Sequence, residues 1–120
     1  MKVIVSISGS FKRQAKPLLK KFPSLRGELN SLQAELMENP RLGKPLGQDS
    51  YKIRLGVESK GKGKSGGLRV ISHLETEILQ LVQFEDDCTI VHLISIYDKM
   101  VTAAISDREL RELIKALHNM

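Results

Sequence analysis

Lys52, Arg54 and Arg69 carry the most chemical potential in this chain. Lys52 and Arg54 alternate with Tyr51, Ile53 and Leu55, and Arg69 stands between Leu68 and Val70. Alternation with period two is the signature of a strand whose successive side chains point to opposite faces, so two strands are expected, each with an apolar side and a cationic side. Lys52 and Arg54 then lie roughly 7 Å apart on one face. A guanidinium matches two phosphate oxygens as a bidentate fork and stays charged, which makes Arg69 the best candidate to clamp a phosphate. Three cations on neighbouring strands suit a polyanion, with RNA or DNA first among those a small protein meets. The same alternation also describes an ordinary solvated sheet face.

Between these runs lies GVESKGKGKSGG, which offers three false motifs and one real property. Gly61, Gly63 and Gly66 spell GxGxxG, but a dinucleotide fingerprint needs a helix after the loop, and a strand follows here. The glycine loop of a kinase does sit between strands, yet the chain has neither HRD nor DFG. Gly63, Lys64 and Ser65 resemble the end of a Walker A loop, with Glu58 where its first glycine belongs. What remains is a flexible segment carrying Lys60, Lys62 and Lys64. Such cations supply attraction to RNA phosphates without fixed orientation.

The elements that must hold these residues can be read in turn. Residues 2–8 alternate as a strand. Ser10 can cap a helix with Phe11, Ala15, Leu18, Leu19 and Phe22 near one face, Pro17 either kinking it or marking its first turn. Lys12, Arg13, Lys16, Lys20 and Lys21 cover the rest of that helix as a solvated surface. Leu25, Leu29, Leu32 and Leu36 recur with helical period until Asn39 and Pro40. Residues 40–50, with two glycines and two prolines, read as loop. Residues 78–84 and 89–97 are β-prone, with Glu85, Asp86 and Asp87 as a turn between them. Ser106 and Glu109 form a capping box for a last helix striped by Leu110, Leu113, Ile114 and Leu117.

These elements give one α+β domain over residues 1–120, of order β-α-α-β-β-β-α. Its helices pack on one face of a twisted, mostly antiparallel sheet, and the basic face stays open. The net charge of +5 favours phosphate backbones or an acidic protein segment. Absence of tryptophan and scarcity of other aromatics argue against a base-stacking platform. One cysteine, Cys88, makes no internal disulfide, and three scattered histidines give no metal spacing, so neither metal nor cofactor is expected. His73 is roughly 13 Å from Arg69 along the strand. His92 would face the apolar side if no bulge precedes Tyr97, and His118 lies in the tail. The apolar run of residues 3–7 is too short for a signal core or a membrane span, which points to a cytoplasmic protein.

YKIRL, a Gly/Lys loop ending KSGG, and LRVI together resemble the middle of the RelE/ParE toxin superfamily, in particular its RelE and HigB-like branches. FKRQAKPLLKKFPSL, ENPRLGKPLG and LISIYDK extend the likeness over nearly the whole chain. The resemblance implies a toxin of a bacterial toxin–antitoxin pair, most often an endoribonuclease that cuts messenger RNA on the ribosome and is held by a cognate antitoxin. It places Lys52, Arg54 and Arg69 at positions of functional basic residues, and Tyr97 and Lys99 at another family site. This chain departs from the pattern there, with Lys99 where arginine is frequent and no tyrosine after Tyr97. For metal-free cleavage a ribose hydroxyl must lose its proton. A lysine depressed by neighbouring cations can take it, Tyr97 being a second possibility and packing its other role. The chain also carries extra residues between Arg69 and the end of the last strand, implying a longer hairpin, a bulge or a short strand near Glu75 to Glu77. Two other readings stand beside the ribonuclease: a ParE-like toxin that binds DNA gyrase, and a noncatalytic protein-binding module.

Overall fold

The computed structural model describes residues 2–61, 66–81, 84–102 and 104–118. The order is β1 (Lys2–Ile7), α1 (Gly9–Lys21), α2 (Leu25–Glu38), β2 (Lys44–Gly47), β3 (Ser50–Leu55), a 3-10 turn (Glu58–Lys60), β4 (Leu68–Leu81), β5 (Phe84–Asp98) and α3 (Asp107–His118). The strands form one mixed sheet in the order β1-β5-β4-β3-β2. β1 runs parallel to β5, and the other three pairings are antiparallel. The architecture is α+β, with three helices and five strands among the described residues.

The apolar side of the alternating strands builds the main core. Ile53, Leu55, Leu68, Val70, Val91, Leu93 and Ile96 lie beneath Phe11 and Ala15 of α1 and Leu25, Leu32 and Leu36 of α2. Each fully buried leucine contributes about 1.5–3 kcal/mol relative to an exposed one, which fixes the two helices to this face. Ser8, not Ser10, caps α1: its Oγ accepts from the Phe11 N–H at 3.1 Å. Pro17 sits inside α1 rather than at its start. The capping box of α3 forms as its spacing predicts, the Glu109 N–H donating to Ser106 Oγ at 3.1 Å and the Ser106 N–H to Glu109 Oε1 at 3.3 Å.

Three expectations change. Residues 44–47 pair with β3, so the proline and glycine segment contains an edge strand, where a missing proline donor is tolerated. The β-prone runs are not separated by Glu85, Asp86 and Asp87, which lie inside β5. The extra residues lengthen the β4–β5 hairpin and add a bulge in β5, and no separate strand forms at Glu75 to Glu77. The helices are also not all on one side. Ile71 shares the cationic face of β4, and Ile94 and Tyr97 join it from β5. α3 covers this second patch with Leu110, supported by Ile105, Leu113, Ile114 and Leu117. The basic face is therefore only partly open, because three apolar side chains on it need cover.

Gly43 ties the entry of β2 to the site described below. It has φ +107, and a Cβ there would meet the Lys52 carbonyl oxygen at 2.6 Å. A backbone oxygen held in a sheet cannot withdraw. Gly43→Ala should therefore lower the unfolding free energy by about 1–3 kcal/mol. Chemical denaturation reads this directly, and an unchanged midpoint would contradict the close approach.

Candidate nucleic-acid interface

Strand register assembles the cations. Arg54 of β3 stands opposite Arg69 of β4, and Arg69 stands opposite Tyr97 of β5, so the three occupy one rung across the sheet. One rung along, Lys52 lies opposite Ile71 on one side and Lys44 of β2 on the other. Lys99 follows the last residue of β5. Like charges directly opposite one another destabilise a sheet, so Arg54 beside Arg69 and Lys44 beside Lys52 are arrangements that packing alone does not favour.

Lys52 feels this crowding most clearly. Its ammonium is pushed below the usual lysine value of 10.5, first by partial burial and then by the charges of Lys44, Arg69, Arg54 and Lys99. All four lie close enough to act on one amine, which makes the set a single electrostatic unit. Burial and like charge both penalise the protonated form.

The members differ in access. Arg54 and Lys99 are exposed, and Lys52 is half-buried. Arg69 is only 3% exposed, with Nη1 donating to the Leu68 carbonyl at 3.2 Å. Its guanidinium contributes charge from beneath the surface, whereas the sequence had suggested an open clamp. Tyr97 is buried in the patch under α3. Lys60 is not a free loop cation: its Nζ donates to the Gly66 carbonyl at 2.8 Å and pairs with Asp98 Oδ1 at 3.3 Å. Lys62 and Lys64 lie outside the described residues. Lys44 is the member that sequence reading missed, because Pro45 and Gly47 marked its segment as loop; its pairing with β3 is a tertiary event.

A groove of about 840 Å³ opens beside the row, between α2 and β3. Lys44, Lys52 and Arg54 line one wall, while Glu28 and Glu35 of α2 and Glu58 line the rest above Leu32, Ile53 and Leu55. Acidic walls repel phosphate, so the candidate surface for a polyanion is the row on the sheet and not this groove.

The histidines collect one rung beyond Lys52. Ser50 stands opposite His73, and His73 opposite His92. The two rings stack with centroids 6.4 Å apart. His73 Nδ1 lies 3.0 Å from Ser50 Oγ, and His92 Nε2 lies 2.8 Å from Glu75 Oε2. His92 therefore shares the cationic face, because the bulge that the apolar-side reading excluded is present. His118 ends α3 near enough to act on His73 and Glu75, so the tail histidine joins the group. Among the described residues no His, Cys, Asp or Glu cluster has the geometry to hold a metal ion.

No protein-family model matches the chain, and no solved structure matches it significantly.

Two titrations follow. A lysine whose folded pKa lies below its unfolded value binds fewer protons in the folded state, so stability should rise with pH between the folded value and 10.5. Lys52→Met should remove that rise in unfolding measured at alkaline pH. NMR of the Lys52 side chain should place its pKa below 10.5 and show it climbing in Lys44→Gln; a value at 10.5 in both proteins would dissolve the electrostatic unit. On the acid side, His73 is held below 6.5, chiefly by burial and next by His92. The unfolded chain takes up that proton first, so stability should fall as pH drops from 6.5 towards the folded value. Glu75, held below 4.5 chiefly by its hydrogen bond to His92, should add a further loss below 4.5. His73→Gln should flatten the loss between pH 7 and 5.

Proposed function

We propose that this chain is a RelE/HigB-like endoribonuclease toxin that cuts messenger RNA on the ribosome and is restrained by a cognate antitoxin. The observation that carries the reading is the assembly of Lys44, Lys52, Arg54, Arg69 and Lys99 around one amine of depressed basicity. Cleavage of this kind needs a base beside cations. A crowd of positive charge lowers the pKa of one lysine and also stabilises a developing phosphorane, so the same residues serve both needs.

In the proposed reaction, the unprotonated fraction of Lys52, enlarged by its lowered pKa, takes the proton of a ribose 2′-hydroxyl through Nζ. The 2′-oxygen attacks the adjacent phosphorus, and the bond to the 5′-oxygen breaks. Arg54 and Lys44 face the phosphate oxygens, while burial together with Lys44, Arg69, Arg54 and Lys99 lowers the basicity of Lys52. Lys99, exposed at the far end of the row, donates the proton that the leaving oxygen requires. The products are an upstream fragment ending in a cyclic phosphate and a downstream fragment with a free 5′-hydroxyl. Lys52 replaces Lys99 and Tyr97 as the base in this scheme, since Tyr97 is packed under α3 and Lys99 is exposed at the strand end.

The antitoxin reading follows from charge. An acidic or amphipathic segment that folds on binding would neutralise the row or pack on the helices.

Lys52→Ala should lower the cleavage rate about a hundredfold or more, and Arg54→Ala by a similar factor, in translation reactions containing ribosomes. Arg69→Gln should move the pH–rate profile to higher pH by releasing Lys52 from its charge. Full activity in Lys52→Ala would remove the base. Gyrase inhibition with no RNA cleavage would return the ParE-like reading, and neither activity would leave the binding module.

A further inference from the structure

Lys60 belongs to the segment that sequence reading assigned to loose phosphate contact, and its surroundings say otherwise. Its side chain is 10% exposed, and its ammonium reaches two acceptors on different parts of the fold, the Gly66 carbonyl at 2.8 Å and Asp98 Oδ1 at 3.3 Å. The Asp98 side chain is 9% exposed. A half-free loop cation does not spend its charge beneath the surface. Holding a charge there is costly unless each partner is satisfied, and removing one partner strands the other.

Asp98 is in turn the organiser of the chain that follows β5. The same Oδ1 accepts the Met100 N–H at 2.9 Å, and the Asp98 carbonyl accepts the N–H groups of Val101 at 3.1 Å and Thr102 at 2.8 Å. Those bonds close a turn that leaves Lys99, Met100 and Val101 exposed. Asp98 also stands opposite Leu68, beside the Arg69 rung, so the turn starts at the edge of the cation row.

We propose that Lys60 is a positioning residue of the cationic site: it clamps the β3–β4 connection to Asp98 and thereby fixes the turn that presents Lys99. The inference rests on reading the row as the phosphate site. It assigns Lys60 to orientation, and it separates this lysine from Lys62 and Lys64, with which sequence alone groups it. Lys60 does not touch RNA in this scheme. Its effect runs through Asp98 and the backbone of residues 99–102.

Amide hydrogen exchange on Lys60→Met tests the clamp without any RNA. The amides of Met100, Val101 and Thr102 should exchange at least about tenfold faster, while those of β1 and its pairing with β5 keep their rates. Unchanged protection at the three turn amides would overturn the clamp. The positioning role is read on the double variant Lys60→Met/Asp98→Asn, which leaves no buried charge alone and keeps an amide oxygen at position 98 for the Met100 N–H. Thermal stability should return towards wild type. The single-turnover rate at saturating RNA should stay at least about tenfold low while RNA affinity changes less than about twofold. Recovery of the rate along with stability would make Lys60 a folding residue only and overturn its positioning role. If the wild-type chain cleaves no RNA, the ribonuclease reading and the positioning role fall together, and the exchange result still judges the clamp by itself.

Discussion

One extra residue in β5 sets the relation between everything on the cationic face. Ile71 pairs with Ser95 and Ser72 with Leu93, which leaves Ile94 unmatched. A one-residue insertion reverses which side chains point to which face beyond it. Tyr97 and His92 are five residues apart and would face opposite ways in a regular strand; across the bulge both share the face of Arg69 and His73. The bulge also adds Ile94 to Ile71 and Tyr97, and that apolar patch is what α3 covers. The strand edge it leaves past the end of β1 is satisfied from α1. Ser10 Oγ donates to the Ile94 carbonyl at 2.7 Å, and Gln14 Oε1 accepts the Ile96 N–H at 3.0 Å. One insertion thus links the first helix, the last helix and the rung of candidate site residues.

Much of this was open to sequence reading wherever the cause was local. The alternation of YKIRL and LRVI needs only the period of a strand, and it correctly put Lys52, Arg54 and Arg69 on one face. The spacing of Leu25, Leu32 and Leu36 and the Ser106–Glu109 box act within a few turns of chain, and they too were legible. The features that escaped all depend on partners distant in sequence. Nothing in KPLG distinguishes an edge strand from a loop until β3 lies beside it. Nothing in the alternation of residues 88–97 reveals that Ile94 lacks a cross-strand partner. Lys60 stands in a string of glycines and lysines, and only the approach of Asp98 reveals its buried pairing.

The site and the core make opposite demands on the same strands. Packing rewards the apolar faces of β3 and β4 and gains nothing from Arg54 opposite Arg69. Exposed charges more than about 8 Å apart are largely screened at physiological ionic strength, but those within a rung are closer and only partly in water. The repulsion therefore persists, and together with the larger effect of burial it lowers the basicity of Lys52. An acidic partner would relieve that repulsion, which is the sense in which the proposed function and the stability of the free chain are linked.

Geometry then constrains how a nucleic acid can lie on this surface. From Lys44 on β2 across β3 and β4 to the end of β5 is three inter-strand spacings, about 14 Å. That span suits one phosphate and its near neighbours and is too short for a duplex groove to be read. Glu28 and Glu35 of α2 line the groove beside Lys44, Lys52 and Arg54 and disfavour phosphate within it. On the other flank, α3 fills the sheet surface over Ile71, Ile94 and Tyr97. Under the proposed function, a strand of RNA would cross the row outside that groove and beside α3. Its scissile phosphate would then lie near Lys52 and Arg54, with its continuation towards Lys99. Selectivity would come from which unpaired segments can reach the row, since Tyr97 is already covered by α3 and the His73 ring is buried against His92.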